Sequence, residues 1–397
     1  MKQLIKDKCN QYFEDIVGIR RHLHQHPELS FCEKDTAELV KQHLASKNID
    51  FQSDIAGYGI VATIKGGLPG KTIALRADMD ALPIQEQNDC LYRSVNEGVM
   101  HACGHDAHTA MLLGTAFILN DLRDKFAGMV KFVFQPGEEK LPGGASLLMK
   151  TGILDDVDMI IAQHVYPDLP CGEVGFHAGP FMASSDEVNI TVKGRGGHAA
   201  KPAERDYTVL AAAKIVTKLS ELYPENDLNA CKSDGLLSFG NFIADGTYNV
   251  IPSEVNLKGT MRTFDENKRK LLKDNILKVA NEIAKESGCI ADIFIEQGYP
   301  SLHNDVSLTE KCAAFAKNYL GEDKVRDLPQ LMTAEDFAWY SQKIPACFYR
   351  LGVANPAKGI DSKQHTATFD IDEDSMKIGM GTMAWLTLSL SKINQII

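Results

Sequence analysis

The sequence predicts an α/β protein, in which a metal-binding domain built on a mostly parallel sheet is interrupted by an inserted ferredoxin-like α+β domain. Three observations lead there. In residues 1–180 and 298–397, short β-rich runs alternate with helical patterns, and candidate ligand residues fall at or just past the C-terminal ends of those runs. That is the edge at which open α/β sheets build their sites. In residues 181–297 the order of elements becomes β-α-β-β-α-β, the split unit of ferredoxin-like folds. Third, Met100–His108 reads M-H-A-C-G-H-D-A-H and precedes an apolar helix-like run containing Met111, Leu112, Thr115, Ala116 and Leu119. Thiolate and imidazole are ligands for zinc and other divalent transition metals.

Composition narrows the function classes. A chain of 397 residues exceeds one ordinary core, so two domains are expected, and 44% hydrophobic with 24% charged residues is globular composition. A net charge of -11 without a basic stripe argues against a nucleic-acid partner. Lys6 and Lys8 lead into a polar helix start instead of an apolar segment, so no secretory signal is expected. No segment approaches the roughly 18 uninterrupted apolar residues of a membrane span. Nine scattered cysteines do not form a disulfide framework and point to a reducing cytoplasm.

Taken in order, residues 1–22 have apolar positions at helical spacing (Leu4, Ile5, Phe13, Ile16, Val17) and end before Pro27. His22, His24 and His26 read as the polar end of that helix, beside its C-terminal dipole. A second helix is expected over Lys34–Lys47. Gly59–Ile64 and Thr72–Leu75 read as strands joined by the turn G-G-L-P-G, and the second runs into Arg76, Asp78 and Asp80. The two carboxylates at i, i+2 are either functional or part of a solvated loop. A strand at Met129–Phe134 ends in Q-P-G-E-E, which leaves Glu138 and Glu139 just beyond it. Val157–Ala162 ends at Gln163-His164, and Ala346–Leu351 precedes a loop carrying His365. In the inserted domain, strands are expected at Ser185–Val192, Leu236–Ile243, Glu254–Thr263 and Ile290–Ile295, with helices at Tyr207–Leu222 and Glu266–Ser287.

Cys103, His105, Glu139, His164 and His365 are too many ligands for one tetrahedral site with an open position, but they suit two metals sharing a ligand. If Cys103 bridges, one ion takes Cys103, His105 and His164, and the other takes Cys103, Glu139 and His365. Two adjacent cations would polarise a carbonyl and acidify a shared water. Glu138 would then be the general base, and Asp80 would orient a ligand. His101 and His108 read as structural. G-R-G-G-H lacks the Gly-Lys-[Ser/Thr] ending of a phosphate loop. His198 in it is either part of a surface turn or a donor to an oxyanion. Asn249 and Arg262 could hold a substrate carboxylate or be structural.

Eight stretches, in order from about residue 20 to residue 380, carry a resemblance: R-R-H-L-H-Q-H-P-E-L-S-F, L-R-A-D-M-D-A-L-P-I, M-H-A-C-G-H-D-A-H-T-A-M-L-L-G, F-Q-P-G-E-E, G-R-G-G-H-A-A-K-P, N-V-I-P, A-E-D-F and H-T-A-T-F. The chain resembles the aminoacylase/carboxypeptidase-like dinuclear metallohydrolases. It is most similar to their amidohydrolase branch of hippurate hydrolase, N-acyl-amino-acid deacylases and plant indole-acetyl-amino-acid hydrolases. The resemblance implies a metal-binding domain with two divalent ions (zinc or manganese, with cobalt or nickel as substitutes) and an inserted lid that mediates homodimerisation. It implies Cys103 in a bridging position usually held by Asp, and a lid histidine, His198, that reaches the partner's site. Asp78 stands where other branches have a ligating histidine, so it is not counted as a ligand, and Gly137 stands where many relatives have Ala, a harmless change. The expected activity is hydrolysis of small N-acyl amino acids. A dipeptidase or carboxypeptidase, and a non-catalytic binding protein, are the alternatives.

Overall fold

The computed structural model describes residues 1–224 and 227–391. The chain divides into two compact units: Met1–Gly179, His303–Pro329 and Trp339–Ile397 form the first, and Pro180–Leu302 with Gln330–Ala338 the second. The segment Gln330–Ala338 thus lies in the second unit, whereas the sequence-based division leaves all of 298–397 in the first.

The first unit contains an eight-stranded sheet in the order Asp50–Ile55, Gly59–Lys65, Ala127–Gln135, Leu68–Asp78, Met159–Pro170, Ala346–Ala354, Val174–Phe176, Val325–Asp327. The four central strands run parallel to one another. Their inner residues are buried with little alternation, as expected where both faces of a parallel sheet are covered. From Leu68–Asp78 the chain leads to its neighbour Ala127–Gln135 on one side. From Met159–Pro170 it leads, after the insertion, to Ala346–Ala354 on the other. A crevice therefore opens at the C-terminal ends of the middle pair, the switch point where α/β sheets bind ligands.

Several strand limits differ from expectation; Leu68–Asp78, for one, extends beyond Thr72–Leu75 at both ends and includes Asp78. His164 lies inside Met159–Pro170, not past a strand end, because Ala346–Ala354 continues the ladder alongside it, pairing Arg350 with His164 and Ala354 with Pro170. Asp50–Ile55 has no counterpart among the expected strands. It is a half-exposed edge strand with a polar sequence, and it lacks the apolar alternation that marks strands.

The helix His105–Asp121 is buried on every side from His105 to Leu119, with its polar residues mostly in the first turn, so it is not amphipathic. Lys2–Gln25 and Asp374–Ser391 pack against it. Among the described residues no helix is long and apolar enough to cross a membrane.

The second unit has a four-stranded antiparallel sheet ordered Leu236–Ile243, Glu254–Arg262, Asp186–Lys193, Ile290–Gln297. With helices Thr208–Leu222 and Glu266–Glu286 between its strands, this is the β-α-β-β-α-β order of a ferredoxin-like unit. Leu272, Ile276, Ala280 and Ala284 recur every fourth residue. They meet Val188, Ile190, Val192, Val255 and Leu257 of the sheet in a separate core.

The first helix ends in a buried ionic cluster, which corrects the reading of His24 as part of a polar helix end. Arg20 Nε donates to Asp106 Oδ2 at 2.7 Å, and a terminal amino group of the same guanidinium donates to Asp370 at 2.7 Å. His24 is fully buried, with Nδ1 2.8 Å from Asp106 and Nε2 3.1 Å from Glu86. Burial and Arg20 push the imidazole pKa down. Asp106 and Glu86 outweigh them and raise it to about 8. A raised histidine pKa stabilises the fold fully below its unfolded value, near 6.5, and that contribution is lost as pH rises through about 8, an effect of about 2 kcal/mol. Chemical denaturation at about pH 6 and about pH 9 should therefore show the natural protein losing about 2 kcal/mol more than His24→Gln, which cannot titrate. Equal losses would mean that folding leaves the His24 pKa unshifted.

Candidate metal centre

Two strands and three loops bring the centre together. Leu68–Asp78 delivers Arg76 and Asp78, which point the same way because they are two residues apart in a strand. Their side chains meet at 2.6 Å. Asp78 and Asp80 are both buried, so neither belongs to a solvated loop. Cys103 and His105 flank Gly104, which sits at φ +87° just ahead of the helix. A Cβ there would come within 2.5 Å of Val165, so the Cys-x-His turn requires glycine. Glu138 and Glu139 follow Ala127–Gln135. His164 comes from Met159–Pro170, and His365 is held by its amide, which donates to the Ala102 carbonyl at 2.8 Å.

All five residues expected as ligands converge within the first unit. Cys103 Sγ lies 3.5 Å from His164 Nε2 and 3.4 Å from His365 Nε2. Glu139 Oε1 lies 3.3 Å from His365 Nε2 and 3.9 Å from His105 Nε2. The other nitrogen of two of these rings is already committed. His105 Nδ1 faces Asp80 at 3.3 Å, and His164 Nδ1 faces the Val165 carbonyl at 2.8 Å. In both, Nε2 is the nitrogen left to face the centre. His108 differs, because the Val165 amide donates to its Nε2 at 2.9 Å and its Nδ1 donates to Asp78 at 2.6 Å. Both nitrogens are used, so His108 is structural despite lying among Asp78, His105 and His164. His101 is buried, and neither ring nitrogen has a hydrogen-bond partner.

The donor set fits divalent cations on two observations. His105 Nε2 is buried without a hydrogen-bond partner, and Glu139 Oε1 is buried with only the His365 ring facing it at 3.3 Å, a costly state that a cation relieves. The cluster also demands positive charge. Hydrogen bonds to Cys103 and Glu139 push His365 up to about 10. Burial opposes a charged His105, yet Asp78 and Cys103 outweigh it and raise its pKa well above the ordinary value. Burial and Glu139 push the Cys103 thiol up. A bound cation would displace the protons that these groups hold and supply the positive charge in their place.

Asp80 accepts the amides of Glu138 at 3.0 Å and Glu139 at 2.9 Å, besides facing His105. Sequence reasoning missed Arg76 and Gln364. The i, i+2 spacing to Asp78 could have revealed Arg76. Gln364, whose amide lies 3.3 Å from the Val165 carbonyl and 3.6 Å from Cys103 Sγ, carries no such signal. In the second unit, His198 pairs with Val250 in a two-stranded ribbon, and the Ala199 amide donates to the Asn249 carbonyl at 2.8 Å, so His198 and Asn249 are neighbours and both are exposed. Arg262 ends its strand and donates to the Met261 carbonyl at 3.0 Å.

Residues 74–388 match the profile of peptidase family M20/M25/M40. The chain is 37% identical over 375 residues to N-acetylcysteine deacetylase of Bacillus subtilis, covering 94% of this chain and 96% of that one. It is 40% identical over 305 residues to N-acyl-L-amino acid amidohydrolase of Geobacillus stearothermophilus, covering 76% and 81%. Among solved structures, the Bacillus subtilis YXEP protein, described as a dinuclear metal binding peptidase, superposes with a TM-score of 0.84 at 33% identity over 96% of this chain and 99% of that one.

Gly137 is held at φ +61°, and a Cβ there would meet the Phe31 ring at 2.4 Å. The glycine is therefore packed against, and alanine is not equivalent at this position in this chain. Gly137→Ala should lower the unfolding free energy by about 1–3 kcal/mol. Combined with Phe31→Ala it should cost less than the two single changes added together, as denaturant titration of all four proteins would show. Strict additivity would mean that the contact contributes nothing.

Proposed function

The chain belongs to peptidase family M20/M25/M40, and on that premise we propose that it is a metal-dependent amidohydrolase that cleaves the amide bond of small N-acyl amino acids to a carboxylate and an amino acid. The observation that carries this reading is the convergence of Cys103, Glu139 and His365 beside His105 and His164, with Glu138 in the same cluster. Cys103, His105 and His164 would hold one divalent ion, and Cys103, Glu139 and His365 the other. Thiolate and imidazole favour zinc, while carboxylate admits manganese, with cobalt or nickel as substitutes. When bound, the two ions supply a Lewis acid for the scissile carbonyl and make water more acidic.

The chain's own residues do the rest. Glu138 takes a proton from the attacking water and returns it to the leaving amine. Asp80 orients His105 and anchors the amides of Glu138 and Glu139. His198 of a second copy would donate to the oxyanion, and Asn249 and Arg262 would receive the substrate carboxylate. These roles need a homodimer formed through the inserted domain. A cytoplasmic location is supported by nine free thiols.

Glu138→Ala should lower turnover by at least about 10²-fold while metal analysis finds both ions retained. Cys103→Ala should lose both ions, and a fully loaded Cys103→Ala protein would refute the shared-ligand reading. A panel of N-acetyl, N-benzoyl and dipeptide substrates separates deacylation from peptide cleavage, the reading favoured by the peptidase description of the solved relative.

A further inference from the structure

We propose that Glu33 is a positioning residue that fixes the loop carrying Glu138 and Glu139, an inference that rests on the roles given to those two residues above. Glu33 is fully buried and lies far from the loop in sequence. Its Oε1 accepts the Gly137 amide at 2.7 Å and the Phe31 amide at 2.9 Å. Asp80 accepts the next two amides, those of Glu138 and Glu139. Three successive backbone donors are thus held by two buried carboxyl groups, and the loop has little freedom to rotate about its peptide units.

The segment around Glu33 is itself fixed. Phe31 adopts φ +64°, which turns its ring onto Gly137, and Ser30 donates to Asp80 at 2.6 Å. Glu28 accepts the Asp35 and Thr36 amides at 3.1 and 2.8 Å, which ties the segment to the start of Lys34–Ser46. Residues 28–36 therefore hold both the start of the catalytic loop at Gly137 and its other support, Asp80. Burial pushes the Glu33 carboxyl up to about 7, so a neutral acceptor of the same shape suits the site. An oxygen in the right place matters more than a full charge.

A misplaced catalytic group of this kind costs about 10²-fold in rate. In protein loaded with metal, Glu33→Ala should lower kcat by about 10²-fold with KM unchanged. Glu33→Gln, which keeps the acceptor oxygen, should stay within about threefold of the natural enzyme. Hydrogen exchange provides a readout independent of turnover: the amides of residues 137–139 should be protected in the natural protein and should exchange faster in Glu33→Ala. Unprotected amides in the natural protein, or Glu33→Ala with normal kcat, would overturn the proposal, as would Glu33→Gln falling as far as the alanine variant. If Glu33→Ala does not fold, the natural protein and Glu33→Gln still decide. If the natural protein hydrolyses no acyl amino acid, the amidohydrolase reading fails, and exchange still tests the hold on the loop.

Discussion

Four donors from three separate stretches of chain converge on the carboxylate of Asp80: the Ser30 hydroxyl, the amides of Glu138 and Glu139, and the His105 ring. A buried carboxylate is tolerable only when its oxygens are satisfied. Here the satisfying groups are the same ones that the site must place. Burial works against the ionised form, but His105 and Ser30 outweigh it and hold the Asp80 pKa below its ordinary value. The cost of burying one charge is therefore offset by ordering a helix start, a loop and an N-terminal segment together.

The centre concentrates acidic groups: Asp78, Asp80, Cys103, Glu138 and Glu139, with Arg76 as the facing cation from the sheet. Protons on His105 and His365 ease that repulsion in the protein alone. Divalent ions would ease it further, because each brings two charges to atoms that already face one another. The electrostatic design of the sheet edge and the choice of ligands thus follow from the same excess of negative charge.

Much of this is legible in the sequence because the central strands are short, apolar and followed at once by polar residues. Glu138, Glu139 and Asp80 can be placed at a strand edge on that basis alone. Local pattern puts His164 one step too far out, since the neighbour that lengthens its strand is supplied by Ala346–Ala354, and pairing partners cannot be read from a local pattern. His24 looks solvent-facing in the sequence for a similar reason. Its carboxylate partners, Glu86 and Asp106, lie on segments distant in sequence. The ferredoxin-like unit is the easier part, because its helices carry a regular apolar stripe over a half-buried antiparallel sheet.

The parallel pairing of Met159–Pro170 with Ala346–Ala354 has a consequence for synthesis. Until Ala354 has left the ribosome, the strand that carries His164 has a free hydrogen-bonding edge, and an unpaired strand edge invites association with other chains. His365 is made later still. The centre can therefore be completed only near the end of translation, after the inserted unit has been made and has had time to fold. Binding of cations that uses His365 would therefore come late, after that edge has been paired.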